Sequence, residues 1–227
     1  LPAEYKVPTN EFGQPCFYKS YPEGGNRYDF TLTPLEGGKE KKFALFTFAD
    51  PQVSKASALS RLNTEAIPAI YNHCKSLEAE GIHCYGITLG DIISNSNSNN
   101  TGAYRDDMRD AFSITKTGMP VFQVMGNHDN TFCNTDLPLF TDERNSHFQL
   151  KAQREHEDMF GPVNYSFNRG DVHIVGMRNV RHKDNVKASN YETAFTAEQF
   201  EWLKADLALV PRDKMVVICF HIPIING

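Results

Sequence analysis

The sequence predicts an α/β domain, and three observations carry that prediction. Short apolar runs alternate with segments of helical spacing, Gly, Asn and Pro pairs separate them, and polar residues stand directly at the ends of the apolar runs. The first run, FALFTFA from Phe43, is continuously apolar and aromatic and reads as a strand buried on both faces. After it, Leu59, Leu62, Ala66, Ile70 and Leu77 fall on one side of a helix, with Pro68 as a point of kinking. HCYGITLG, from His83, is a second strand, and Tyr104 to Gly118 an amphipathic helix closed by its glycine. PVFQVMG, from Pro120, is a third strand. VNYSFNRG and VHIVGMRN alternate in polarity across a short Asn-Arg-Gly-Asp stretch and predict a β-hairpin. Thr196 and Gln199 form the capping box of a further helix, and KMVVICFHIPI is the last strand.

Residues 1–38 differ in texture. They are rich in Pro, Gly and turn pairs, and read as an extended or short-strand segment, the tail of an accessory β domain ahead of a main domain at 39–227. The run Ser94 to Asn100 is a polar loop of low complexity.

Composition narrows the function classes. With 40% hydrophobic and 11% aromatic residues among 227, the chain can bury a sizeable core and is not a disordered sequence. A net charge of -5 with both signs interspersed argues against a nucleic-acid or membrane-surface binder. No apolar run approaches the ~20 residues of a membrane span. The five cysteines are dispersed without a CxxC pair, a pattern of buried free thiols rather than of disulfides or a zinc cluster.

Four apolar runs end on chemistry: Asp50-Pro51-Gln52, Gly90-Asp91, Gly126-Asn127-His128-Asp129, and His221. Singly, each has an ordinary reading. Asp-Pro opens turns, GNHD is an Asx-rich turn, and His221 between Phe220 and Ile222 is a core histidine. In an α/β sheet, however, the strand ends share one edge, and ligands bind outside it. Carboxylates, amides and imidazoles gathered there supply the donors that a pair of divalent cations needs.

The series from Phe43 onward, with GNHD as its most specific element, resembles the calcineurin-like metallophosphoesterase family, in particular its exported multidomain bacterial members. FGPVNYSFNRGDVHIVGM and the text from FEWLKADLAL to HIPI are similar to that family's connecting segments. The resemblance implies a layered β-sandwich flanked by helices, and hydrolysis of a small phosphorylated substrate by a hydroxide bridging two metals. It implies Asp50 and Gln52 as ligands of the first metal, Asp91 as the bridge, and Asn127 and His221 as ligands of the second. His128 would protonate the leaving oxygen, and Asp129 would orient that imidazole or its loop. It also implies export, to a periplasm or the exterior.

Three departures from the family's pattern shape the expectation. Gln52 stands where His is commoner, and as an oxygen donor it favours Mn, Fe or Mg over Zn, with Mn or Fe first. Ser94 stands where a second Asp often follows the bridging one. A Gly-His-x-His segment that supplies two more ligands is absent, so the natural protein is expected to continue beyond Gly227. The pattern leaves open whether the substrate is a nucleotide, a sugar phosphate, a diester or a pyrophosphate. A catalytically weak scaffold on the same fold is the rival from another class.

Overall fold

A computed structural model describes residues 1–19, 28–94, 104–130, 152–182 and 191–224. The polar run at 95–100 and Cys133 lie outside them. Two three-stranded sheets face each other. The first is parallel, in the order β1 (Phe43–Phe48), β2 (His83–Thr88), β3 (Val121–Gln123). The second joins the hairpin β4 (Asn164–Arg169) and β5 (Val172–Met177) to β8 (Met215–Cys219), which runs parallel to β5. A small ribbon, β6 (Val180–His182) and β7 (Tyr191–Thr193), stands apart.

Between the sheets Ile87, Phe122 and Val124 meet Tyr165, Phe167, Ile174 and Cys219. The Phe122 and Phe167 rings stack with centroids 3.8 Å apart. Outside the first sheet a second core holds Cys74, Cys84, Met108, Phe112 and Val121 under the helices. These are α1 (Ala56–Arg61), α2 (Ile67–Ala79), α3 (Arg105–Ala111), α4 (Ile114–Thr117) and α5 (152–160); α6 (Ala197–Leu207) follows β7. No helix among the described residues is long and apolar enough to cross a membrane. Cys16, Cys74, Cys84 and Cys219 are free thiols.

The layered α/β architecture is the one anticipated, and its local differences have physical causes. The β1 strand is half-buried rather than buried on both faces, because it lies at the edge of its sheet while β2 takes the centre. The helix from Ala56 carries a π turn at Leu62–Ala66, just ahead of Pro68. Proline cannot donate to the carbonyl four residues back, and the extra residue in the turn absorbs the mismatch. It also moves the apolar stripe by one, so that Ile67 is buried and Ala66 exposed. The predicted helix ending at Gly118 breaks at Ser113, whose backbone is extended and whose neighbour Ile114 donates its N–H to the Gly13 carbonyl (3.1 Å). The capping box of α6 forms as expected, with both Thr196–Gln199 bonds made.

The N-terminal segment is woven into this frame. Phe17 packs on Phe122, Tyr165 and Phe167, and the Leu1 carbonyl accepts from the Asn168 N–H. The fully buried Arg169 donates to the Tyr5 carbonyl (2.8 Å) and lies over the Tyr85 ring.

One buried imidazole makes the fold acid-sensitive. On α5, His156 is 1% exposed, and neither ring nitrogen has a hydrogen-bond partner. Burial, then the charges of Arg105 and Arg178, pulls its pKa down to about 3. Between the ordinary value near 6.5 and that lowered value, the unfolded chain takes up a proton that the folded chain refuses. Stability therefore falls as pH falls through that window, by on the order of a few kcal/mol. His156→Leu is expected to flatten that part of a urea-midpoint against pH curve; an unchanged slope would acquit His156.

Candidate metal centre

The edge of the sheets where β1, β2, β3 and β8 end collects the seven residues singled out from the sequence. Asp50 and Gln52 follow β1, Asp91 follows β2, Asn127 to Asp129 follow β3, and His221 follows β8. Donor atoms of Asp50, Asp91 and His221 lie within 4.8 Å of one another. Asp91 is 2% exposed, and Asn127 and Asp129 are buried as well, while Asp50 and Gln52 are open to solvent.

The backbone aims these groups at a conformational cost. Asp50, Gln52 and Asp91 are the three non-glycine residues with positive φ among the described residues (47°, 39° and 53°). Left-handed backbone at such residues costs on the order of 1–3 kcal/mol each and persists only where the surroundings hold it. Hydrogen bonds do so: the Gln52 N–H donates to the Asp91 carbonyl (2.8 Å) and the Leu89 N–H to the Phe48 carbonyl (2.8 Å). Two glycines make the approach possible. A Cβ at Gly126 would lie 2.2 Å from Asp91 Oδ1, and one at Gly90 would lie 2.7 Å from His221 Nδ1.

Around His221 three lone pairs converge. Its Nδ1 lies 2.7 Å from the Leu89 carbonyl oxygen, which can only accept, so Nδ1 carries a hydrogen. Its Nε2 faces Asn127 Oδ1 at 2.9 Å and Asp91 Oδ1 at 3.3 Å. Neutral imidazole would set a third lone pair against two oxygens, so the site needs a positive centre there, a proton or a cation. Without a metal the proton serves. Burial pulls the His221 pKa down, but the hydrogen bond and charge of Asp91 outweigh it and leave it raised. Burial likewise pushes Asp91 up, and His221, the Gln52 amide and the His128 N–H hold it below the usual carboxylate value.

The remaining members divide by role. Gln52 Nε2 donates to Asp91 Oδ2 (2.8 Å), so its amide oxygen points the other way. The His128 N–H donates to Asp91 Oδ1 (2.8 Å), its Nδ1 meets the Ser94 carbonyl, and its Nε2 lies 4.0 Å from Asp91 Oδ2 with the side chain 26% exposed. The carboxylate of Asp129 takes the N–H groups of Ile92 (3.0 Å), Ile93 (3.3 Å) and Gly126 (2.9 Å), and thereby ties the β2 and β3 ends together. Burial and the Asp91 charge push its pKa up to about 6.

Two neighbours escaped the sequence reading. The buried Asn179 side chain accepts from the Ile222 N–H (3.1 Å) and donates to the Ile222 carbonyl (2.7 Å), bracing the residue after His221. Arg105 donates to the Asp129 carbonyl (2.8 Å). Asn179 had a signal of the same kind as the others, a polar residue ending the apolar run VHIVGM; Arg105, on a helix, had none.

Comparison with known proteins gives the constellation a setting. No curated protein matches the sequence. Among solved structures, a dimetal phosphatase from Danio rerio aligns with a TM-score of 0.46 at 17% identity, over 79% of this chain and 69% of that one. A purple acid phosphatase from yellow lupin (Lupinus luteus) seeds aligns with a TM-score of 0.47 at 16% identity, over 82% of this chain and 31% of that one. The model of the calcineurin-like phosphoesterase family matches residues 61–227, a span that holds Asp91, Asn127, His128, Asp129 and His221 and begins just after Asp50 and Gln52. That span is well over half of the sequence, and the chain belongs to the calcineurin-like phosphoesterase family.

Proposed function

We propose that the chain hydrolyses phosphoesters with two divalent cations, the first held by Asp50, Gln52 and Asp91, the second by Asp91, Asn127 and His221. The observation that carries this reading is the convergence of Asp50, Asp91 and His221 donors within 4.8 Å, with His221 Nε2 turned toward two oxygens. Cations held there would neutralise the phosphate oxygens and lower the pKa of a water that attacks phosphorus. The residues do the rest. Asp91, locked between Gln52, His128 and His221, fixes the centre's position. The half-buried His128 ring, oriented by the Ser94 carbonyl, gives a proton from Nε2 to the leaving oxygen. Asp129 keeps the loop that carries Asn127 and His128 in place through its three backbone bonds. No side chain forms a covalent phosphate intermediate.

Metal analysis of the purified protein tests the proposal. Two equivalents of a transition metal, together with metal-dependent release of phosphate from p-nitrophenyl phosphate, are expected. A protein that binds no metal and releases no phosphate would favour the scaffold reading.

Gln52 sets the metal preference. As an amide-oxygen ligand it favours harder cations, so Mn or Fe is expected ahead of Zn. Coordination through Oε1 requires the amide to turn over from its bond to Asp91. Gln52→His is expected to tighten Zn binding by about 10-fold or more in a chelator competition, following the softness of imidazole. Unchanged affinity would remove Gln52 from the ligand set.

A further inference from the structure

One strand away from His221 stands a guanidinium that forms no ion pair among the described residues. The strands β5 and β8 run in parallel with Gly176 beside Cys219, and two residues further that register sets Arg178 beside His221. The Asn179 bonds to Ile222 show the two chains still side by side at that point. Adjacent strands lie about 5 Å apart, so Arg178 begins within a small substrate's length of the metal centre.

The side chain is held in place by neutral groups alone. Its Nε donates to the Val180 carbonyl (2.8 Å) and its Nη1 to Gln153 Oε1 (2.8 Å). Among the described residues no carboxylate forms an ion pair with it, and its Nη2 makes no hydrogen bond. Burial draws its pKa down to about 10; the charge of Glu157 offsets part of this, and that of Arg181 adds to it. The side chain is half-buried, and its Nη2 is left available to an anion.

A cavity of about 610 Å³ adjoins Arg178, with Arg181, Asn164, Phe195 and Gln199 among its walls. Arg181 stands 3.9 Å from Glu192, and Glu198, the acidic residue among the cavity's described walls, spends its carboxylate on its own N–H and on the Thr196 side chain. The N-terminus of α6 is already capped by Thr196, so the charge left to satisfy is that of Arg178.

Resting on the phosphoesterase reading above, we propose that Arg178 recognises a second anionic group, a phosphate or a carboxylate, carried by the leaving portion of the substrate. The substrate class is then a bis-anionic phosphomonoester whose two charged ends are separated by a short spacer. Arg178 anchors one end in the cavity while the other reaches the metals.

Three matched substrates test this: n-propyl phosphate, the O-phosphate of 3-hydroxypropionate, and propane-1,3-diol bisphosphate. The wild-type protein is expected to prefer one or both bis-anionic compounds by about 10- to 100-fold in kcat/KM, the range of a charge-assisted bond to an anion. The better of the two identifies carboxylate or phosphate as the second group. Arg178→Met is expected to abolish that preference and Arg178→Lys to restore part of it, with the loss in KM rather than in metal content. Binding of propane-1,3-diol bisphosphate to the metal-free protein, followed by calorimetry, separates the two layers of the argument. Binding lost in Arg178→Met supports the anion site even if no phosphate is ever released. A wild-type protein without preference among the three substrates, or a preference that survives Arg178→Met, would overturn the proposal.

Discussion

Asp91→Asn is expected to strip the centre of metal and to lower phosphatase activity by on the order of 10³- to 10⁴-fold. The carboxylate joins three other members of the site: it accepts from Gln52 and the His128 N–H and faces His221 Nε2. In the proposed centre it bridges both cations, so its charge is shared and cannot be replaced by an amide oxygen. Loss of the Lewis acid forfeits several kcal/mol of transition-state stabilisation, and about 1.4 kcal/mol is tenfold in rate. Asparagine preserves volume and the acceptor for the His128 N–H, so the fold is retained at neutral pH. A second reading comes from pH. The metal displaces the proton from His221, whose pKa is raised, so metal affinity is expected to fall as pH drops below that raised value. The metal-free protein behaves in the opposite sense around the same pair. Its Asp91–His221 contact stabilises above the unfolded carboxylate value and below the unfolded imidazole value, and weakens on either side. Full metal content in Asp91→Asn, by elemental analysis, would remove Asp91 from the bridging position.

How much of this was legible in the sequence depends on the range of the interaction concerned. The succession of elements and the shared edge followed from apolar runs that each stop on a polar residue, and the structure brings Asp50, Asp91, Asn127 and His221 to that edge. The capping box at Thr196 was readable because both of its bonds join residues three apart. The edge position of β1 was not, since an apolar run looks alike whether a neighbour covers one side or two. The one-residue slip of the α1–α2 stripe was half legible: Pro68 announced a disturbance, but its resolution as a π turn depends on packing against the first sheet. Left-handed backbone at Asp50, Gln52 and Asp91 was invisible, because nothing local demands it. It is imposed by bonds across strands, such as Gln52 N–H to the Asp91 carbonyl, between residues 39 positions apart in the paired side-chain contact. Arg178 escaped for the opposite reason. It directly follows the apolar run VHIVGM, but its interest arises only in space, where it forms no ion pair among the described residues.

His128→Asn is expected to leave the metals bound and to lower kcat by about 10²- to 10⁴-fold, the range for a positioned general acid. The metal centre touches His128 through its backbone, whose N–H donates to Asp91 Oδ1, and substitution keeps that bond. The side chain is held from behind by the Ser94 carbonyl on Nδ1, which leaves Nε2 as the position from which a proton can be given. It sits 4.0 Å from Asp91 Oδ2, too far for a hydrogen bond. A role in leaving-group protonation makes a demand that a purely structural role does not. A phenolate with strongly withdrawing substituents departs without help, whereas an alkoxide does not. The loss in His128→Asn is therefore expected to be small with p-nitrophenyl phosphate and large with n-propyl phosphate. Equal losses on the two substrates would reduce His128 to a residue that only shapes the loop, and loss of metal in the variant would make it a ligand instead.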